Sequence, residues 1–206
     1  MGRMPTTYAT RTPAVNLRYQ PSYTNGRTVV GRPVNGEFKI NEVSSTGTVA
    51  NGGQIFNCLA GITRGNDSVG NFLGGKIYPA GLDVSYTWIH ADVTNFVRVI
   101  IFQWYGTGNP APSEVIIGVP PHLSAISWVN KDNIRVLSDN RLVLTEQGAP
   151  ATITRIYIKG KKMDQIDMAI GNSQINKGGL YIYLVSDSAA PLHPTAVIFS
   201  RLTFND

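Results

Sequence analysis

The stretch from residue 95 to 105 constrains the fold most, because it is too apolar to leave one side in water. Its sequence, NFVRVIIFQWY, is rich in β-branched and aromatic residues on both alternating faces. Such a run is typical of a central strand that other parts of the protein cover on both sides. Residues 76–90 instead alternate between apolar positions and polar or small ones, which predicts a strand with one buried face.

Shorter strand patterns recur along the rest of the chain, and no amphipathic helix accompanies them. Strands are predicted within 37–60 (at 38–43 and 54–60) and at 133–146, 151–159, 179–186 and 195–204. Parallel strands would need crossover helices between them. About eight strands punctuated by glycine, proline, asparagine and aspartate therefore predict an all-β fold, an antiparallel sandwich or barrel.

The connection over residues 106–132 is too long for a hairpin and contains four prolines. It is predicted to be a surface loop that crosses from one sheet to the other, as Greek-key folds require. Its apolar residues suit a surface buried between subunits, or one packed over the edge of the sandwich. These residues are Val115, Ile116, Ile117, Val119, Leu123, Ile126 and Trp128.

The net charge is concentrated at the N-terminal end. The chain holds 18 Lys and Arg against 13 Asp and Glu, a formal net charge of +5. Residues 1–40 contain six of the basic residues and one acidic residue, Glu37, whereas residues 41–206 contain twelve of each. A neutral body with a basic end is the charge layout of a protein that holds a polyanion with its tail.

Residues 1–36 are predicted to form an extended basic arm, and residues 37–206 the folded domain. The arm has four prolines, two Asn-Gly turn signals and neither a helical nor a strand period. Arginine makes bidentate contacts with phosphate, and tyrosine offers a ring on which an unpaired base stacks. The predicted nucleic-acid-binding residues here are Arg3, Arg11, Arg18, Arg27, Arg32, Lys39, Tyr19 and Tyr23. The alternatives are a solvated tail and an arm that packs on a neighbouring subunit.

The sequence has no catalytic or metal-binding motif, so neither enzyme activity nor a cofactor is predicted. The single cysteine, Cys58, excludes a multi-cysteine zinc site, and the three histidines form no close pair. Residues 70–76 (GNFLGGK) nearly match a phosphate-binding loop, but a strand pattern follows where that loop needs a helix. Calcium held by loop oxygens leaves little sequence trace and stays open. Nothing resembles a membrane span of about 18 apolar residues.

Several passages together resemble the capsid proteins of small circular single-stranded DNA viruses. Residues 133–145 (NIRVLSDNRLVLT) and 156–161 (IYIKGK) resemble a strand of that family and the basic strand after it. Residues 179–187 (GLYIYLVSD) and 199–204 (FSRLTF) resemble its last two strands. Residues 82–87 and 96–105 are similar to paired strands of this family and of the satellite tobacco necrosis virus coat protein. The resemblance covers about residues 75–206.

The resemblance implies an eight-stranded single jelly roll of two four-stranded sheets. Lettered in chain order, the implied strands are B within 37–60, C at 75–90, D at 95–105, E at 133–146, F at 151–160, G near 164–169, H at 178–187 and I at 194–205. Arg98 and Arg201 would then lie on strands near the inner surface of a shell, which makes them further candidates for nucleic-acid contact.

The resemblance also implies a structural protein, not an enzyme. Copies of it would assemble into a T=1 icosahedral shell of about 60 subunits around a circular single-stranded genome. The resemblance favours DNA over RNA, and the sequence itself does not decide between them. Its location would be the virion; assembly in the host nucleus and the host receptor stay open. About 60 arms of +5 supply about +300 of charge, which is modest for neutralising a genome by ion pairing alone. The alternative is a non-viral jelly-roll binding module, such as a carbohydrate-binding protein with Trp88, Trp104 or Trp128 as stacking platforms.

Overall fold

The computed structural model describes residues 38–65, 71–91, 94–145, 152–169, 174–189 and 192–206, together with the backbone of 23–24 and 27–28. The chain divides into two compact units, Met1–Val34 and Asn35–Asp206. In the first unit the described backbone forms two paired strands, β1 (Tyr23–Thr24) and β2 (Arg27–Thr28). The predicted boundary between arm and domain, at 36/37, stays a prediction.

The second unit is built almost entirely of strands. They are β3 (Lys39–Thr48), β4 (Gln54–Asn57), β5 (Thr63–Arg64), β6 (Asn71–Phe72), β7 (Lys76–Ile89), β8 (Thr94–Trp104), β9 (Ile134–Thr145), β10 (Thr152–Lys159), β11 (Ile166–Met168), β12 (Ile175–Lys177), β13 (Gly179–Ser186) and β14 (Thr195–Asn205). One short helix, α1 (Pro112–Val115), follows β8, and a 3-10 helix (Gly160–Lys162) follows β10.

Two large sheets form the main body of the second unit, and every strand pair within them is antiparallel, as predicted. The two-residue strands β5 and β6 form a small separate pair that is parallel. Sheet I has the order β12-β11-β7-β14-β3, with β10 also paired to β7. Sheet II has the order β4-β13-β8-β9. The arrangement is that of an all-β jelly roll, so the predicted fold class is confirmed.

The strand lettering implied by the resemblance was wrong from C to G. The segment assigned to strand B alone contains two strands, because β3 lies in sheet I and β4 in sheet II. A turn at Gly52-Gly53 carries the chain between the sheets, and Gly53 has a φ of 72° that favours glycine. The letters B to I then fall, in chain order, on β3, β4, β7, β8, β9, β10, β13 and β14. The two sheets have the orders B-I-D-G and C-H-E-F, and the segment near 164–169 becomes the short extra strand β11.

The main core combines the inward side chains of both sheets. Strand β7 alternates between buried and more exposed residues, as its sequence predicted, except at Gly81 and Leu82, where two consecutive residues are buried. Its apolar side chains pack against those of β8 and β13. The core contacts include Leu82, Val84, Tyr86 and Trp88 from sheet I, and Val97, Val99, Ile101, Leu180, Ile182 and Leu184 from sheet II. Because the inward face of each sheet contributes side chains, the position of the core follows directly from the period-2 pattern of the strands.

A second core lies on the other face of sheet II. There Ile100, Phe102 and Trp104 of β8 pack with Val115 and Ile116 of the following connection. Strand β8 is therefore buried on both faces, which confirms the prediction made from residues 95–105. The connection itself joins β8 to β9, which are neighbours in one sheet, so the predicted crossing between sheets was wrong. It folds over sheet II because the outward side chains of β8 are apolar and need cover.

The lone cysteine is buried in the main core, and burial raises the pKa of the Cys58 thiol to about 12. The reactive thiolate is then a negligible fraction at pH 8. We expect iodoacetamide to leave Cys58 unmodified in the native protein at pH 8 and to modify it fully in 6 M guanidinium. Mass spectrometry of the two samples measures this difference, and rapid modification of the native protein would contradict the burial of Cys58.

Candidate assembly and nucleic-acid interfaces

Most of the predicted nucleic-acid-binding residues lie outside the described side chains. These are Arg3, Arg11, Arg18, Arg27, Arg32, Tyr19 and Tyr23. Their role as a basic arm stays a prediction. The three remaining candidates, Lys39, Arg98 and Arg201, lie in the second unit at separate places, and the fold does not bring them together.

Lys39, the first residue of β3, is buried and forms an ion pair with Asp206. Its Nζ lies 3.0 Å from one carboxylate oxygen of Asp206 and 3.1 Å from the other. The pair ties the start of β3 to the end of the described chain. This geometry gives Lys39 a structural role within the second unit.

Arg98 is also buried, with 2% of its side chain exposed. Its Nε donates to Oδ1 of Asp139 at 2.8 Å, and its Nη2 donates to Oδ2 at 2.7 Å. Nη1 donates to the backbone carbonyl of Ser124, which belongs to the connection that covers sheet II. Arg98 therefore fixes this connection to β9, and its charge is already satisfied inside the protein.

Arg201 lies on the outward face of sheet I and is half exposed. Its Nε donates to Oε1 of Glu42 at 2.6 Å, and its guanidinium lies 5.7 Å from the centre of the Phe199 ring. Of the three described candidates, it is the one that a ligand in solvent can reach.

The outward side of sheet I is a broad exposed surface, which we call the open face. Registers across β10, β7, β14 and β3 align its side chains in rows. One row is Tyr157, Asp83, Arg201 and Glu42, and the adjacent row is Arg155, Ser85, Phe199 and Ser44. The open face thus combines exposed aromatic side chains with charged ones.

Two acidic residues of the open face, Asp83 and Glu42, each have an arginine partner. Nε of Arg155 donates to both carboxylate oxygens of Asp83, at 3.0 and 3.1 Å. The hydrogen bond from Arg155 holds the pKa of Asp83 below its usual range, against the opposing effect of burial, and the charges of Arg155 and Arg201 add to this lowering. Arg155, Tyr157 and Lys159 were not among the residues predicted to bind nucleic acid. Their spacing of two residues on a predicted strand could have identified them, because it places all three side chains on one face.

A second exposed surface lies on the connection between β8 and β9. We call it the apolar loop surface, and its members are Ile117, Val119, Leu123, Trp128 and Val129. The loop beneath it is held in place by hydrogen bonds: Ser127 N donates to Val115 O at 2.9 Å, and Asn130 Nδ2 donates to Glu114 O at 3.1 Å. The connection thus divides its apolar residues between the protein's own core and solvent.

The three tryptophans have different surroundings. Trp88 and Trp104 are buried in the two cores, so neither can serve as the carbohydrate-stacking platform of the alternative function. Trp128 is 75% exposed. Trp128 is therefore the one of the three that can still serve the carbohydrate-binding alternative, and tryptophan is also enriched among residues that contribute most to protein–protein binding.

A surface cleft of about 480 Å³ lies apart from both surfaces. Its lining contains the amide side chains of Asn57, Asn109, Gln174 and Asn176, with Leu59, Thr107, Gly108 and Ile175. None of these described lining residues has a group that titrates near neutral pH, so they supply no general acid or base. Among the residues that the structure describes, no three His, Cys, Asp or Glu side chains come together to hold a metal ion. Nor does any helix within those ranges have the length and apolarity to cross a membrane.

The observations define an all-β jelly roll with one open sheet face and one apolar loop surface. No protein-family model matches the chain, and no curated protein matches it. Among solved structures, Desmodium yellow mottle tymovirus is similar at 7% sequence identity and a TM-score of 0.38, over 91% of each chain. A T13 IBDV viral particle is similar at 10% identity and a TM-score of 0.30, over 90% of this chain and 40% of the other. At these TM-scores the matches do not establish a family.

Proposed function

We propose that this chain is a capsid subunit, a structural protein that assembles with copies of itself into a closed shell and encloses single-stranded nucleic acid. The observation that supports this most is the apolar loop surface. Five apolar side chains are exposed on one hydrogen-bonded loop, whose other apolar residues pack in the second core. Such a patch is unfavourable on a protein that stays monomeric, and it is removed from water when copies associate.

The proposed shell has T=1 symmetry with about 60 copies, and its genome is single-stranded DNA rather than RNA. Support for both points is the resemblance of residues 75–206 to the capsid proteins of small circular DNA viruses. Closed symmetry also suits an exposed patch that meets a different surface of the next copy, because repeated contacts of that kind form closed assemblies when the rotation closes.

Sedimentation velocity of the purified full-length chain tests self-assembly. A shell of about 60 copies of a 22.4 kDa chain has a mass of about 1.3 MDa. We expect a species of this size over a range of salt concentration and pH. A single species near 22.4 kDa under all these conditions would exclude the capsid proposal.

The basic arm is proposed to hold the nucleic acid. Because Lys39 is paired with Asp206, the charge that remains for this role is that of the five arginines in residues 1–36, which contain no acidic residue. Arginines spread over an extended segment suit contact along a phosphate backbone without reading its sequence. The charge that the arm contributes in each copy is therefore still +5, one for each of its five arginines.

Deleting residues 1–32 is expected to lower the nucleic acid that co-purifies with the protein. The deletion removes all five arginines of the arm and so removes most of the electrostatic attraction to phosphate. The ratio of absorbance at 260 nm to that at 280 nm measures the loss. As a control, a full-length variant with the five arginines changed to glutamine should behave like the deletion. An unchanged ratio in both variants, with an unchanged β-type circular dichroism spectrum, would refute the role of the arm.

A further inference from the structure

Strand β10 forms one border of the open face, and it presents a basic–aromatic–basic series there. Arg155, Tyr157 and Lys159 are spaced by two residues, so all three side chains leave the strand on the same side, and all are exposed. We propose that this series is a second binding site for single-stranded nucleic acid, within the folded domain and separate from the arm. The inference rests on the proposed function, because it assigns a further contact to the nucleic acid that the shell would enclose.

The position of the Tyr157 ring is set by a glycine on the neighbouring strand. A Cβ at residue 81 would lie 2.6 Å from Oη of Tyr157 and 3.1 Å from its Cε2 and Cζ. The hydroxyl end of the ring therefore lies over the backbone of Gly81, in space that any other residue would fill. Tyr157 nevertheless remains 62% exposed. A ring laid on a sheet and open to solvent is the form of platform on which a base stacks.

Basic residues precede and follow Tyr157 on the same border of the sheet. Arg155 is held above Asp83 but keeps 71% of its side chain exposed. Lys159 follows Tyr157 on the same face, and Lys161 and Lys162 are exposed on the 3-10 helix that comes next. With the carboxylate of Asp83, these four cations give a balance of +3, and the carboxylate of Asp164, two residues after Lys162, is paired with Arg135. Farther across the face, Arg201 and Glu42 cancel each other.

The lysines of the 3-10 helix are held close to the sheet by another glycine. A Cβ at residue 160 would lie 2.5 Å from the carbonyl oxygen of Ala80 on β7. Only glycine allows this approach, which keeps Lys161 and Lys162 beside the border strand that carries Tyr157. A positive border next to an exposed ring matches the phosphates and the bases of a single strand together, whereas a neutral protein partner would leave the cations without partners.

The stacking contact is tested with Tyr157→Ala in the full-length protein, and a fluorescein-labelled oligothymidylate is the probe. Fluorescence anisotropy is expected to show affinity weakened roughly 5- to 100-fold, the range typical for loss of one base–aromatic stack. Tyr157→Phe keeps the ring and should bind like the unmodified chain. Ile153→Ala is the matched control, because Ile153 lies on the same strand and face and is 74% exposed. Affinity for inorganic polyphosphate, which has no bases, should not change in any of these variants.

The ionic contact is tested with the double variant Lys161→Gln and Lys162→Gln. Each phosphate contact on a single strand contributes about 0.7 to the slope of log affinity against log salt concentration, so the slope should fall by about 1.4. Lys131→Gln is the control, because Lys131 is exposed on the connection that covers sheet II.

Two results would overturn the site. One is an unchanged oligothymidylate affinity in Tyr157→Ala, which is also what a protein-binding role of this face predicts. The other is an equal loss of affinity for oligothymidylate and polyphosphate. Sedimentation of the same samples separates the site from the capsid proposal. If the chain stays monomeric while Tyr157→Ala selectively weakens oligothymidylate binding, the capsid proposal fails and the site is supported.

Discussion

Replacing Asp139 with alanine is expected to lower the free energy of unfolding by about 3 kcal/mol. The change removes both side-chain acceptors of Arg98 and leaves its guanidinium buried, with the carbonyl of Ser124 as the acceptor that remains. Removing one partner of a buried ion pair typically costs about 3–5 kcal/mol. The lower value applies because the side chain of Asp139 is 29% exposed, so water can reach the vacated site.

Two further variants make the Asp139 measurement specific. Asp83→Ala breaks the pair with Arg155, whose guanidinium is exposed to solvent, so it should lower the free energy of unfolding much less than Asp139→Ala does. Changing Arg98 to methionine together with Asp139 to valine removes both charges, and should recover most of the lost stability. Urea unfolding followed by tryptophan fluorescence measures all three variants. Equal, small losses for Asp139→Ala and Asp83→Ala would contradict the structural role of the Arg98 pair.

Replacing Trp128 with serine is expected to abolish assembly while leaving the fold intact. A tryptophan at the centre of an interface typically contributes 2 kcal/mol or more, and in a shell this loss is repeated in every copy. Because Trp128 is mostly exposed in the single chain, its removal should cost the isolated domain only about 0.5 kcal/mol. Sedimentation velocity and circular dichroism measure the two effects separately.

The matched control for Trp128→Ser is Ile153→Ser. Both side chains are exposed to nearly the same extent, but Ile153 lies on the open face of sheet I, away from the apolar loop surface. Ile153→Ser should therefore assemble like the unmodified chain. Full assembly of Trp128→Ser would exclude the apolar loop surface as a subunit contact, and loss of assembly in both variants would show that the effect is not specific to the loop.

Local sequence patterns predicted the strands well. The alternation over residues 76–90 and the two-sided apolar run over 95–105 each correspond to a strand of the expected burial, β7 and β8. Patterns of this kind depend only on near neighbours along the chain. The division of residues 37–60 between two sheets was missed, because a Gly-Gly turn does not by itself state to which sheet the next strand belongs.

The candidate binding residues could not be assigned from local sequence patterns, because their roles depend on contacts between residues that are far apart along the chain. A charge count treats Arg98 as a cation for a ligand, but Asp139, 41 residues away, neutralises it inside the protein. Tyr157 becomes a platform only because β10 pairs with β7 and places Gly81 beneath its ring. The apolar residues of the connection were recognised, but their division between core and surface required the outer face of β8 to be placed first.

Electron microscopy of the purified full-length protein tests the central proposal, self-assembly into a shell, most directly. Closed particles of uniform diameter, present in the unmodified chain and missing in Trp128→Ser, are the predicted result. Dispersed single subunits in every preparation of the unmodified chain, with the β-fold intact by circular dichroism, would contradict it.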